Sequence, residues 1–271
     1  MINVLKGILT AFALLVPGVS GGTMMIILNV YDQTIEAMSQ LISGKIIHKK
    51  LIFQLVVGGL IGIVFFASSI ERLITRFPMQ MSYLFLGIIV AGIGAFLKKI
   101  DFKKIKGSYL IYFLGGLIIA AMTTFFNTDS LIAGEPTGIQ YLILILVSGI
   151  IIAVALILPG ISTSFLLLSL GMYDDTLRAI SSFDLAYIVP LAIGVIFGLL
   201  LTTKFLEYLL KSHPTPTYLM ILGFVLGSLA TVYPGWPPTG QLMEMGIMFM
   251  LGVGVMLLIQ YLVVKYPSQS E

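Results

Sequence analysis

Residues 11–39 and 153–181 are one segment written twice. AFALLVPGVSGGTMMIILNVYDQTIEAMS lies over AVALILPGISTSFLLLSLGMYDDTLRAIS without a gap, and 12 of 29 positions are identical. Pro17/Pro159, Gly18/Gly160, Ser20/Ser162, Tyr31/Tyr173, Asp32/Asp174 and Thr34/Thr176 coincide. Each copy interrupts an apolar run with a polar turn that breaks a helix. A second block, 57–92, repeats at 193–228 and aligns Gly58/Gly194, Gly62/Gly198, Glu71/Glu207, Pro78/Pro214 and Gly87/Gly223. The repeat therefore constrains the fold to two like halves, each holding one broken segment.

The chain of 271 residues is 58% hydrophobic and 10% charged, whereas soluble domains are about a quarter charged. Apolar stretches recur at 51–70, 81–97, 109–126, 186–203, 217–232 and 245–264, most of them near the roughly 20 residues that cross a bilayer. The expected fold is an all-α polytopic membrane protein. It comprises two inverted-topology repeats, each a broken or re-entrant helix hairpin plus three transmembrane helices. Repeat A covers 1–135 and repeat B covers 136–271, within one integrated transmembrane domain. The absence of cysteine excludes disulfides, thiol catalysis and Cys-based metal sites. His48 and His213 are far apart and read as solvated loop residues, so neither metal nor cofactor is expected. The start of the chain mimics a signal peptide, but its continuation recurs at 153–181, which assigns it to the fold.

Charge separates the two topologies. If each broken segment returns to the side it entered, each half crosses three more times and the halves are inverted. All 12 lysines then share one side with both termini, including Lys6, Lys45, Lys49, Lys50, Lys98, Lys99, Lys211 and Lys265. Asp129, Glu135, Asp174, Asp175 and Asp184 fall opposite. If each segment crosses once, the lysines divide between the two sides. The positive-inside rule favours the inverted arrangement, with both termini cytoplasmic. The first arms, 5–16 and 23–30, are too short to span; 141–158 in the second copy gives about 27 Å at the helical rise and almost spans.

The turns PGVSGGT (17–23) and PGISTSF (159–165) are the chemical centre. Pro17 and Pro159 end the incoming helix, and Gly18 and Gly160 permit a tight reversal. Ser20, Thr23, Ser162, Thr163 and Ser164 supply caps for the outgoing helix. Its free N–H groups and dipole favour phosphate. Such a turn is tolerated at membrane depth only inside protein or a watery cavity. Ser20-Gly21-Gly22-Thr23 also allows close backbone approach to a ligand. The bland reading, a Pro/Gly kink of the kind common in membrane helices, explains one turn better than two matched ones. A broken helix in each half is a pattern of transporter sites at a repeat interface.

Arg72, Arg76 and Arg178 fall opposite the lysines. They read either as snorkelling anchors or as collectors of an external phosphate headgroup, which guanidinium groups match bidentately. Asp32 and Asp174 read as helix caps or as coupling and gating groups. Glu36, Glu71 and Glu207 are further gating candidates, with a solvated interface as the plain reading of Glu71 and Glu207. An ion pair between Glu36 and its counterpart Arg178 has no support in the sequence.

With PGVSGGT followed by MMIILNVYD, the chain resembles the DUF368 family of bacterial membrane proteins over essentially its whole length. The resemblance implies a polyprenyl-phosphate transporter of the bacterial plasma membrane, a flippase returning undecaprenyl phosphate to the cytoplasmic leaflet for cell-wall synthesis. It falls on Pro17, Gly18, Ser20, Gly21, Gly22, Thr23, Tyr31 and Asp32, and on Pro159, Gly160, Ser162, Tyr173 and Asp174. Thr163-Ser164 replaces the double glycine in the second copy, so equal roles for the two turns do not follow.

Three other classes fit these features less well. A secondary transporter of a small soluble anion would show a sealed vestibule rather than a lateral opening toward lipid. An intramembrane lipid phosphatase finds no nucleophile–base pair and no metal-ligand spacing. A scaffold does not explain two matched polar breaks. Phosphate carries about −1.5 to −2 charge near neutral pH, so crossing hydrocarbon requires shielding by polar groups.

Overall fold

The structure, a computed structural model, describes residues 2–15, 20–42, 44–125, 138–161, 163, 166–167 and 170–265. The regular elements among them are helical. They are α1 (Ile2–Leu15), α2 (Gly21–Ile27), α3 (Tyr31–Ile42), α4 (Lys49–Arg76), α5 (Pro78–Leu97), α6 (Leu110–Phe125) and α7 (Ile139–Ile157). Then come α8 (Tyr173–Ser182), α9 (Leu185–Ser212), α10 (Pro214–Val232) and α11 (Leu242–Lys265). Six helical stretches are long and apolar enough to cross a membrane: α4, α5, α7, α9, α10 and Thr239–Lys265, which contains α11. The chain is a multi-pass membrane protein. The stretch expected at 109–126 forms the 16-residue α6, about 24 Å at 1.5 Å per residue. The arm expected at 141–158 forms the 19-residue α7, long enough to count as a span.

Small residues set the helix pairing. In lipid, apolar side chains gain little by leaving one apolar surface for another, so close backbone contact drives association. A Cβ on Gly58 of α4 would fall 2.0 Å from the Val4 carbonyl oxygen of α1. One on its counterpart Gly194 of α9 would fall 2.2 Å from the Leu146 carbonyl oxygen of α7. Val4 and Leu146 are counterparts too. The same duplication joins the halves: Gly87 of α5 meets the Phe249 carbonyl of α11, and Gly223 of α10 meets the Phe113 carbonyl of α6. The opening helix of each half, α1 or α7, thus packs on the long helix α4 or α9 of the same half, while the last helix packs on the other half. Pro78 and Pro214 open α5 and α10 at the first turn, where the missing N–H costs nothing.

The first broken segment returns to where it began. Lys6 near the start of α1 lines one cavity with Ile26, Ile27 and Asn29 at the end of α2. Leu28 meets Ile2 and Leu5 in a neighbouring one. Polar contacts then fix which helix ends share this face. Glu36 of α3 accepts from Lys211 near the end of α9 at 2.6 Å and lies 3.4 Å from His48 at the start of α4. Asp32 of α3 accepts from Lys99, just past α5, at 2.7 Å, and from Tyr218 near the start of α10. So α4 leaves the face at which its counterpart α9 arrives, and α5 arrives where its counterpart α10 leaves.

Candidate functional site

The two breaks meet inside the protein. Ser20 holds an extended conformation (φ −93°, ψ 140°) and caps α2; its Oγ accepts the Gly22 N–H at 3.2 Å. That bond satisfies one of the free donors at a helix start. Ser20, Gly21, Gly22 and Thr23 are all buried. A Cβ on Gly22 would lie 3.1 Å from the Ile157 carbonyl oxygen, 3.3 Å from Pro159 Cγ and 3.4 Å from the Tyr31 ring. Gly22 therefore lets the first turn press against the backbone of the second. Tyr31, fully buried, donates its hydroxyl to the Ile157 carbonyl at 2.9 Å. That carbonyl belongs to the last turn of α7, where helical partners run out. Pro17 and Gly18 lie outside the described residues, as do Ser162 and Ser164 of the second turn.

Gly160 places the second break in depth. It has φ +82°, and a Cβ there would fall 2.5 Å from the Phe224 carbonyl oxygen. Both facts require glycine. Phe224 is ten residues past Pro214, the start of α10, or about 15 Å along the helix. The second turn thus lies near the middle of a spanning helix. Thr163, beyond it, is half-buried.

Polar groups away from the turns are distributed unevenly. Asp32 was expected as a cap or a gate. It lies in the first turn of α3 and holds both Lys99 and Tyr218. The Lys99 ammonium also lies 5.9 Å from the Tyr218 ring centroid. Asp174, its counterpart, is exposed in the first turn of α8, and the neighbouring Asp175 accepts from Tyr141 at 3.1 Å. Glu36 pairs with Lys211, and that hydrogen bond lowers its carboxyl below the usual range. Glu207 reads in the sequence as a solvated interface residue, but its side chain is only 12% exposed, bonded to Lys211 at 2.7 Å and to Gln40 at 3.2 Å. Packing of α3 against α9 causes that burial. Glu71 is exposed. His48, expected in a solvated loop, faces Glu36 with 23% of its side chain exposed.

All three arginines are exposed. Arg72 donates to the Ser68 carbonyl at 3.0 Å, Arg76 lies 5.5 Å from the Phe77 ring centroid, and Arg178 is 3.9 Å from Asp175. Arg72 and Arg76 sit in the last turns of α4, at the opposite end from His48. Sequence reasoning missed Lys99, Tyr218 and Lys211 as partners of α3 acids. Repetition cannot reveal them, because Gly235, Ser82 and Thr75 occupy the counterpart positions. Among the described residues no three His, Asp or Glu side chains gather as a metal site.

Two curated proteins resemble the chain over most of its length. A polyprenyl-phosphate transporter of Vibrio cholerae is 32% identical over 249 residues, covering 87% of this chain and 78% of its own. A polyprenyl-phosphate transporter of Staphylococcus aureus is 29% identical over 246 residues, covering 87% of each. No solved structure matches. The model of the VCA0040-like, undecaprenyl phosphate translocase-like family matches residues 10–249. Paired breaks at mid-depth, in a chain of spanning helices that matches this model nearly end to end, place the protein in the undecaprenyl phosphate translocase-like family.

Proposed function

We propose that this chain is a translocase for polyprenyl phosphate, returning undecaprenyl phosphate from the outer to the cytoplasmic leaflet for cell-wall synthesis. The observation that carries the reading is the contact of Gly22 with Ile157 and Pro159, which brings two helix breaks together inside the protein. The hydroxyls of Ser20, Thr23, Ser162, Thr163 and Ser164, with backbone donors at the breaks, would shield the phosphate there. Meanwhile the prenyl tail stays in lipid.

The opposite running of α4 and α9, and of α5 and α10, supports inverted halves and alternating access between them. The lysine-bearing face is then cytoplasmic, by the positive-inside rule, in a bacterial plasma membrane. Arg72, Arg76 and Arg178 would collect the headgroup on the far side. The Asp32–Lys99 and Glu36–Lys211 contacts would open and close as the halves rock, with Asp174, Glu71 and Glu207 as lesser candidates.

The test is leaflet exchange of a reporter polyprenyl phosphate in liposomes holding purified protein, with and without a proton gradient. Ser20→Ala with Thr23→Ala leaves the tightly packed glycines in place and removes the two hydroxyls. Exchange that scales with protein and falls about tenfold or more in this variant supports the site. Normal exchange by the folded variant refutes the assignment of these hydroxyls. Absence of exchange by the folded wild-type protein refutes the lipid substrate.

A further inference from the structure

Two cavities on the lysine-bearing face adjoin one another and differ in chemistry. The first, about 290 Å³, is lined by Lys6, Lys98, Lys99, Asn29 and Gln260, among apolar residues. The second, about 180 Å³, is lined by Ile2, Leu5, Leu9, Leu28, Ile259 and Leu262. Lys6 and Val263 line both. Lys6 is only 3% exposed, and a lysine this enclosed between membrane helices is a functional candidate by default. A cationic chamber opening beside an apolar one has the form of an anionic headgroup next to its own tail.

We infer that these joined cavities form a second binding site for a phosphate monoester lipid, with the phosphate among Lys6, Lys98 and Lys99 and the first part of the chain along Leu5, Leu9 and Leu262. The inference rests on the proposed lipid substrate and adds a place where that lipid waits on one face. The repeat strengthens it. The counterparts of Lys6, Lys98 and Lys99 are Ser148, Pro234 and Gly235, so no cation stands at the three equivalent positions of the other half. The helix framework is duplicated and the three cations are not, as a one-sided ligand site requires.

Asp32 regulates the chamber. Its carboxylate holds Lys99 at 2.7 Å, so the arriving phosphate competes with it for the ammonium. Tyr218 and Asp32 also line a separate cavity of about 160 Å³ with Glu36, Glu207 and Lys211. The Asp32–Lys99 contact therefore stands between the lipid chamber and the ion-paired interface of α3 and α9. Release of Lys99 to the phosphate loosens that contact, linking occupancy to movement of α3. Asymmetric binding sets where the lipid rests and leaves net direction to the gradients across the membrane.

The experiment measures binding to the full-length purified protein in nanodiscs, using a short-chain polyprenyl phosphate, the matching prenol and inorganic phosphate as probes. The combined Lys6→Gln, Lys98→Gln and Lys99→Gln variant is expected to weaken prenyl phosphate binding about tenfold or more, since charge-assisted bonds are lost. Prenol affinity stays unchanged. Asp32→Asn is expected to tighten prenyl phosphate, a gain that misfolding cannot produce. Leu5→Trp with Leu262→Trp fills the apolar cavity and weakens the lipid but not inorganic phosphate. Unchanged lipid affinity in the lysine variant overturns the inference. So does equal loss of prenol and prenyl phosphate, or competition by inorganic phosphate as strong as the lipid's own. Leaflet exchange on the same preparations separates the two readings. A wild-type protein that binds through the lysines without exchanging lipid refutes the translocase and leaves the site. One that exchanges lipid while the lysine variant binds normally refutes the site alone.

Discussion

The two halves agree in their backbones and differ in their charges. Gly58 and Gly194 make the same contact with counterpart carbonyls, and so do Gly87 and Gly223. Thr34 and Thr176 donate to the counterpart carbonyls of Val30 and Met172, at 2.8 and 2.6 Å. Yet the repeat aligns Lys6 with Ser148, Lys99 with Gly235, Tyr218 with Ser82 and Lys211 with Thr75. Small residues at helix contacts have no substitute where backbones touch, so both halves retain them. A charge in a membrane protein persists where something requires it. The shared contacts describe the frame and the unshared charges describe what the frame handles.

The largest expected effect tests the frame. Gly58→Leu and Gly194→Leu should each cost about 1–3 kcal/mol or more by overpacking, read as thermal unfolding in detergent. Gly59→Leu, one residue away with nothing within 4 Å of its added Cβ, should leave the melting temperature in place. A large loss at Gly58 with none at Gly194 would break the equivalence of the halves.

A smaller effect tests the junction between them. Tyr31→Phe keeps the ring against Gly22 and removes the buried bond to the Ile157 carbonyl. The orphaned acceptor should cost about 1–2 kcal/mol, and lipid exchange should fall with it if the turns must stay registered. Unaltered stability would mean that the carbonyl finds another partner and that Tyr31 does not tie the breaks together.

Much of this frame is legible in the sequence because its cause is local. Pro17-Gly18 and Pro159-Gly160 announce the breaks, and apolar length announces the helices. Glycine periodicity marks the contacts, since no other residue permits them. The pairing of α5 with α11 and of α6 with α10 is not legible, because a glycine states that a backbone approaches without saying whose. The meeting of Gly22 with Pro159 is hidden for the same reason. The polar contacts around the breaks are hidden where the sequence does not repeat. Asp32 and Glu36 stand out as acids beside a turn, but Lys99, Tyr218 and Lys211 reach them from 67 to 186 positions away. One expected hydroxyl caps as its position beside the turn suggests, with Ser20 Oγ accepting from the Gly22 N–H at the start of α2.

The smallest effect separates the faces by acidity. Glu36 on α3 lies outside the spanning helices, and the hydrogen bond from Lys211 holds its carboxyl below the usual value of 4.5. A folded-state value below the unfolded one means that the pair stabilises the protein fully above about 4.5 and loses this as pH falls through the lowered value. The contribution is small, about 0.2–1 kcal/mol, because water reaches both partners. Glu36→Gln should therefore lower the melting temperature slightly at pH 7 and by less at an acid pH below the lowered value, where the wild-type carboxyl takes up its own proton. Thr75, at the position equivalent to Lys211, donates to the Glu71 carbonyl on its own helix. Thr75→Val should consequently show the same small shift at both pH values. If Glu36→Gln were equally flat with pH, the Glu36–Lys211 contact would hold no folding energy and would be free to act as a latch between α3 and α9. If Thr75→Val were the pH-sensitive one, the one-sided distribution of charge would not mark a functional face.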